Sequence, residues 1–148
     1  GGFHMAKVAV VYWSGTGNTQ KMAEAVVEGA KGAGAEVECF EVDSFSVDQI
    51  DGFDGLALGC PSMGAEELEE GSYEPFFAAA VDSGKLSGKP VVLFGSWGWG
   101  AGAWMETWSE RTKDAGANLV DTFIVENEPD DEGLEGSKKL GAAIAGAC

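Results

Sequence analysis

The sequence has few of the residues on which most catalytic and metal sites depend. Its 148 residues include one histidine, His4, and three cysteines, Cys39, Cys60 and Cys148. An odd number of cysteines without metal-ligand spacing indicates a reduced intracellular setting rather than a disulfide framework. Catalysis by histidine has no credible residue, because His4 lies in the first few positions of the chain.

Basic residues are also scarce. Nine Lys and Arg stand against 25 Asp and Glu, so the net charge is −16. Such a field excludes nucleic acid and anionic membrane surfaces as partners and favours basic proteins. The sequence has no apolar stretch long enough to span a membrane and no evident signal peptide, so we expect a cytoplasmic protein.

The length and composition predict one globular domain. Hydrophobic residues make up 45% of the chain and charged residues 23%, which is typical of a folded protein with a real core. We assign this domain to residues 6–148. Residues 1–4 are interpreted as a remnant of the expression vector ahead of a natural Met5.

Apolar runs alternate with helical patterns along the chain. Strands are predicted at 8–13, 36–42, 55–60, 91–94 and 119–125, and helices near 22–30, 73–81, 103–115 and 134–147. A short helix capped by Ser46 is also expected. This alternation predicts an α/β fold, a three-layer α/β/α sandwich around a doubly wound, five-stranded parallel sheet.

The loop Ser14-Gly15-Thr16-Gly17-Asn18-Thr19 joins the first strand to the first helix. Free amides and the positive end of the helix dipole make such a loop an anion site. Gly15 and Gly17 let the backbone wrap closely around a ligand, and the other four side chains are neutral donors. Alternatively, the loop could be only a tight turn with a helix cap, but a cap needs one such residue and not four.

Two more strands lead into unusual segments, 61–70 and the glycine-rich loop 95–102. They carry Met63, Trp97 and Trp99, and they reach the same edge of a parallel sheet as the first loop. Exposed indoles on glycine-rich backbone are costly unless they cover something flat. A phosphate site beside hydrophobic walls therefore predicts a phosphorylated aromatic cofactor.

Several of these side chains have plainer interpretations. Met63 could be a core filler, and Trp97 is undecided between core and site. Trp104 and Trp108, at helical spacing, favour packing over a role in the site. Cys60 is interpreted as a small buried hydrophobe. Three glutamates of the second segment are either a solvated face or a docking surface for a basic partner: Glu67, Glu69 and Glu70.

Three motifs taken together resemble the flavodoxins of the short-chain, clostridial type. They are residues 12–19, Gly59-Cys60 with Met63-Gly64, and Gly98-Trp99-Gly100. The resemblance implies the flavodoxin-like strand order 2-1-3-4-5, noncovalent FMN and one-electron transfer at low potential. Fixed negative charge near the ring would make the reduced cofactor give electrons away readily. It also implies a monomer that serves redox enzymes such as pyruvate–ferredoxin oxidoreductase or hydrogenase in place of ferredoxin.

The same resemblance assigns roles to residues. The first loop would bind the phosphate, and Met63 and Trp99 would flank the ring. The turn Met63-Gly64-Ala65-Glu66 would meet the N5 edge, where Gly64 lets its peptide rotate, and Glu66 would bond the ring N3–H. The cofactor-binding residues expected are Ser14, Gly15, Thr16, Gly17, Asn18, Thr19, Pro61, Ser62, Met63, Gly64, Ala65, Glu66, Ser96, Trp97, Gly98, Trp99 and Gly100.

Two positions depart from the family pattern. Trp97 stands where a Tyr is usual, which affects the packing of its loop. Pro61 stands where a hydroxyl residue often helps to bind the phosphate, so one phosphate contact would be missing.

The sequence lacks features that other functions on related folds require. An FMN-dependent NAD(P)H or quinone oxidoreductase on the same fold would need a second pocket, for which the chain has little spare loop. A phosphoacceptor receiver domain needs acidic residues at the ends of the first and third strands. Here those ends are Tyr12-Trp13-Ser14 and Gly59-Cys60-Pro61, so this function is rejected. A P-loop hydrolase is excluded because no Gly-Lys-Ser or Gly-Lys-Thr follows a strand. The dinucleotide-binding fingerprint is excluded because Gln20 stands in the place of its third glycine.

Overall fold

The computed structural model describes residues 5–63 and 67–148. The expectations for Gly64, Ala65 and Glu66 lie outside these residues. The strands are β1 (Lys7–Tyr12), β2 (Glu36–Glu41), β3 (Gly55–Gly59), β4 (Pro90–Trp97) and β5 (Asn118–Glu126). All pair in parallel, in the order β2-β1-β3-β4-β5. The predicted fold and strand order are confirmed.

Helices cover both faces of this sheet. In the described ranges they are α1 (Asn18–Gly32), α2 (Tyr73–Ser83), α3 (Ala103–Asp114) and α4 (Asp131–Ala147). Two short 3₁₀ helices, Val42–Ser44 and Val47–Gly52, join β2 to β3, and the second begins with the predicted Ser46 cap. None of the helices in the described ranges has the length and apolarity that crossing a bilayer requires.

The alternation of side chains along each strand divides the core into two layers. On β4, Val92 and Phe94 face α1 and α4, whereas Val91 and Leu93 face α2 and α3. The α2–α3 layer is rich in aromatic rings, and Trp104 and Trp108 are fully buried in it. Their interpretation as core residues is confirmed.

Glycine brings α1 and α4 into backbone contact. A Cβ built on Gly29 would lie 1.9 Å from the carbonyl oxygen of Lys138, and one on Gly141 would lie 2.1 Å from that of Val26. No side chain fits at either position, so the two helices pack more closely than any larger residue allows.

Two predicted boundaries are wrong. The strand expected at 91–94 continues to Trp97, because Gly95 belongs to β4 and not to a flexible loop. A Cβ there would lie 2.2 Å from the carbonyl oxygen of Cys60, so this glycine permits close approach to the neighbouring chain. The last helix begins at Asp131 rather than 134, since the Asp130 carboxylate accepts the Gly133 amide at 2.8 Å.

Strand β2 forms one edge of the sheet and is strongly acidic. Its side chains Glu36, Glu38 and Glu41 are exposed, and Val37 and Phe40 between them are half-buried. Val37 packs against the α1–α4 layer of the core and Phe40 against the α2–α3 layer, so this edge strand gives one apolar side chain to each face of the sheet and leaves its acidic side chains in water. The opposite edge, β5, is apolar over most of its length.

Candidate functional site

The loop 14–19 is folded around the Ser14 hydroxyl. Its oxygen accepts the amides of Gly17 at 3.1 Å and Gln20 at 3.3 Å. Thr16 accepts the amide of Asn18 at 3.4 Å, and Gly17 takes the left-handed φ of 96° at the start of α1. The loop therefore exists as a formed turn at a helix amino terminus, with hydroxyl hydrogens left to donate.

Charge around this helix end favours an anion. The first turn of α1 contains no acidic residue, so the positive end of the helix dipole is uncompensated there. Lys21, just beyond the loop, forms an ion pair with Glu128. The loop itself contributes neutral donors, as the sequence predicts.

A buried hydroxyl pair and a backbone hydrogen bond connect the loop region to the chain at the ends of two other strands. Thr19 is 1% exposed and Ser96 is 6% exposed, and their hydroxyl oxygens lie 3.2 Å apart. The carbonyl oxygen of Ser96 in turn accepts the Ser62 amide at 3.0 Å. The ends of β1, β3 and β4 are thus linked by hydrogen bonds at the carboxyl edge of the sheet, where ligands bind in this class of fold.

A cavity of about 260 Å³ opens beside these hydroxyls. Eleven of the predicted residues line it: Ser14, Gly15, Thr16, Asn18, Thr19, Pro61, Ser62, Met63, Ser96, Trp97 and Gly98. Gly17, Trp99 and Gly100 do not line it, although Gly17 shapes the turn. Gly64, Ala65 and Glu66 lie outside the described residues.

Two further residues line the cavity that the sequence reasoning missed. Trp13 directly precedes the loop, so its position was a usable signal, and its ring lies 3.0 Å from where a Cβ of Gly15 would stand. Asn127 has no such local signal. It follows β5 with a left-handed φ of 58°, and its backbone amide donates to the Trp97 carbonyl at 2.8 Å. Only the pairing of β4 with β5 therefore reveals that it lines the cavity.

The aromatic side of the site is formed by the end of β4. Trp97 is half-buried, packs against the α2–α3 core and also lines the cavity, which answers the question that the sequence left open. Trp99 is 64% exposed, the most exposed large hydrophobic side chain among the described residues. Such exposure of an indole near a cavity is typical of a binding surface.

The loop carrying Met63 is fastened at both ends. Met63 and Glu67 exchange two backbone hydrogen bonds of 3.0 Å. The Glu69 carboxylate accepts the amides of Gly71, Ser72 and Tyr73 at 2.6 to 2.9 Å. Glu69 is therefore a structural cap of α2, a role that neither of its predicted interpretations covered.

Cys60 is a buried thiol at the base of the same loop. Its sulfur accepts the Glu69 amide at 3.4 Å, and its carbonyl accepts the indole N–H of Trp104 at 3.2 Å. Burial raises the pKa of the thiol to about 12, so it stays protonated at neutral pH. These contacts agree with its interpretation as a small buried hydrophobe.

These features fit a phosphorylated ring cofactor. The amino terminus of α1, with its neutral hydroxyls and no carboxylate in the first turn, suits a phosphate. The cavity beside it continues to Met63 and Trp97, with the exposed indole of Trp99 on the same strand-end segment. One end of the site is polar and the other is apolar and flat.

Comparison with known proteins agrees with this geometry. Residues 10–141 match the family model described as Flavodoxin. The flavodoxin of Megasphaera elsdenii is 48% identical over 140 residues, which cover 95% of this chain and 99% of that protein. That of Clostridium beijerinckii is 46% identical over 135 residues, covering 88% and 96%. The solution structure of two-electron reduced M. elsdenii flavodoxin superposes with a TM-score of 0.86 at 47% identity, covering 94% and 98%.

These relatives are electron-transfer proteins, so the oxidoreductase alternative is not favoured. A family match over most of the chain, the strand order and a loop of neutral donors beside aromatic walls lead to one conclusion: the chain belongs to the flavodoxin family and is an FMN-binding electron carrier rather than an enzyme.

Proposed function

We propose that residues 6–148 form a single domain that holds FMN in the cavity at the carboxyl edge of the sheet. The loop 14–19 would bind the phosphate, and the hydroxyl contact between Thr19 and Ser96 would hold the loop against the end of β4. Met63, Trp97 and Trp99 would form the walls for the ring, with Gly98 and Gly100 beside them and with Trp13 and Asn127 completing the lining. Bound FMN supplies one-electron chemistry, and the protein supplies binding, orientation and electrostatics.

The observation that carries this assignment is the neutral donor set. A phosphate held by amides and hydroxyls keeps its negative charge, because no cation of the loop offsets it. The −16 net charge of the chain adds to that field. Negative charge near the ring disfavours uptake of further negative charge, which supports a carrier of low potential acting in place of ferredoxin.

Titration of the apoprotein with FMN and with riboflavin tests the assignment. We expect a yellow complex of one FMN per chain, and tighter binding of FMN than of riboflavin by at least a hundredfold, since only FMN engages the loop 14–19. The measurement is quenching of flavin fluorescence. Equal affinity for the two flavins would contradict the phosphate site.

We further propose that the acidic rim of the site docks basic faces of redox enzymes, with the protein acting as a cytoplasmic monomer. Exposed Glu67 and Glu70 line a hollow next to Trp13 and Met63, and Glu126 is exposed beside Asn127. Enzymes of the kind that ferredoxin serves, such as pyruvate–ferredoxin oxidoreductase or hydrogenase, are the partners that the resemblance suggests.

Electron transfer to a basic protein should therefore depend strongly on salt. With cytochrome c as the basic acceptor, we expect the second-order rate constant to fall at least tenfold between 20 and 500 mM NaCl, because the Debye length shrinks from about 20 Å to about 4 Å. Stopped-flow absorbance measures it. A neutral quinone is the control acceptor and should show less than a twofold change. Salt-independent transfer to cytochrome c would contradict acidic docking.

A further inference from the structure

The loop that carries Met63 has two described arms, residues 60–63 and 67–69. The outgoing arm is tied to the sheet, since the amide of Cys60 donates to Phe94 at 3.1 Å and that of Ser62 donates to Ser96 at 3.0 Å. The returning arm, as far as the structure describes it, makes no backbone pair with a strand. Its connections are the backbone pair between Met63 and Glu67, the buried side chain of Leu68, and the contacts of Glu69.

Glu69 connects this returning arm to both the loop base and α2. Its amide donates to the Cys60 sulfur, its carbonyl accepts the Glu74 amide at 2.8 Å, and its carboxylate binds three amides at the start of α2. The helix is in turn fixed to β1, because the buried Tyr73 hydroxyl donates to the Val11 carbonyl at 2.7 Å. A chain of hydrogen bonds thus runs from the centre of the sheet to the arm beside Met63.

We propose that Glu69 is a positioning residue of the redox site: its carboxylate holds the returning arm against α2, and the position of that arm sets the midpoint potentials of the bound FMN through the segment that carries Met63. The second half of this proposal rests on the proposed function, in which Met63 forms a wall of the ring site. The first half concerns the protein alone and holds without cofactor.

A pair of variants separates position from charge. Glu69→Gln and Glu70→Gln each remove one negative charge from adjacent residues of the loop. Glu70 is exposed and makes no hydrogen bond or ion pair with the described residues, whereas Glu69 is half-buried with three amide partners. Any difference between the variants therefore reports the hydrogen bonds of Glu69 and not the loss of a charge.

Amide hydrogen exchange of the apoprotein tests the first half. The readouts are the backbone amides of Met63 and Glu67, each of which donates to the other residue's carbonyl and not to the Glu69 carboxylate. We expect their exchange to accelerate at least tenfold in Glu69→Gln and less than twofold in Glu70→Gln. Unchanged exchange in Glu69→Gln would overturn the proposal, because the burial of Leu68 would then suffice to hold the arm.

Redox titration of the FMN-loaded protein tests the second half. In Glu70→Gln, the equilibrium constants for reduction by a reference dye should change less than threefold and return to the wild-type values in 0.5 M salt. In Glu69→Gln, at least one of the two one-electron constants should change more than tenfold and keep that change in high salt. Identical behaviour of the two variants would overturn this half.

A second route avoids dependence on one variant. If Glu69→Gln does not fold, Cys60→Ala removes the sulfur that accepts the Glu69 amide, and it should likewise accelerate exchange at Met63 and Glu67 at least fivefold. Slow exchange there would overturn the proposal. If the protein bound no FMN, the proposed function would be wrong. Amide hydrogen exchange of the apoprotein would still show whether Glu69 holds the returning arm.

Discussion

Replacement of Ser14 by Asp should weaken FMN binding at least a hundredfold while leaving the apoprotein as stable as before. The carboxylate can accept the same amides of Gly17 and Gln20 that the hydroxyl accepts now, and it lies at the positive end of α1. Toward a phosphate, however, it is a like charge. Like unit charges about 4 Å apart near a protein surface repel by about 4 kcal/mol, and two thirds of that repulsion, roughly 2.7 kcal/mol, already corresponds to a hundredfold loss of affinity.

Riboflavin is the matched control for Ser14→Asp, because it has the ring without the phosphate. Its affinity should change less than threefold, and the melting temperature of the apoprotein should stay the same or rise. Fluorescence titration measures the affinity for each flavin, and calorimetry measures the melting temperature of the apoprotein. If the variant lost FMN and riboflavin equally, the phosphate would have to bind somewhere other than the loop 14–19.

Replacement of Gly141 by Ala should destabilise the apoprotein by about 3 kcal/mol. The added Cβ would stand 2.1 Å from the Val26 carbonyl oxygen and 2.8 Å from the Ala30 amide nitrogen. These are backbone atoms of α1 and cannot turn aside, so α4 must move away and lose the close contact along its length. Overpacking of this kind usually costs about 1–3 kcal/mol, and backbone collisions lie at the upper end. Urea unfolding measures the loss.

Gly146 in the same helix offers the control. Among the described residues, no atom beyond its chain neighbours and its own helix backbone lies within 4 Å of a Cβ built there. Since Ala favours a helix over Gly by up to about 1 kcal/mol, Gly146→Ala should leave the free energy of unfolding unchanged or raise it slightly. Gly29→Ala should resemble Gly141→Ala, and the double variant should lose less than the sum because both open the same interface. Equal stability of the Gly141 and Gly146 variants would refute the close helix contact.

The fold was predictable from the sequence because apolar runs and helical patterns alternate with little ambiguity. The runs around Val10, Leu58 and Leu93 are continuous, as expected of strands buried on both faces. The loop 14–19 was predictable for a related reason, since its donors are adjacent along the chain. Both inferences need only local information.

The parts that failed depend on tertiary contacts. The sequence places Gly95 in a glycine-rich loop, but Gly95 belongs to β4 and the neighbouring Cys60 carbonyl leaves no space for a side chain. Asn127 enters the cavity only because β5 pairs with β4. The buried pair of Thr19 and Ser96 joins positions 77 apart, and no periodicity along one segment could reveal it. The expectations for Gly64, Ala65 and Glu66 remain predictions.

The exposed glutamates of the edge strand β2 oppose association of two copies of the chain through their sheet edges. A bare edge strand presents unpaired amides and carbonyls that another chain could extend. Two such edges would bring Glu36, Glu38 and Glu41 of each copy together, and the mutual repulsion resists growth of a shared sheet. Salt screens the repulsion between exposed carboxylates, so the protein resists edge-to-edge aggregation best at low ionic strength.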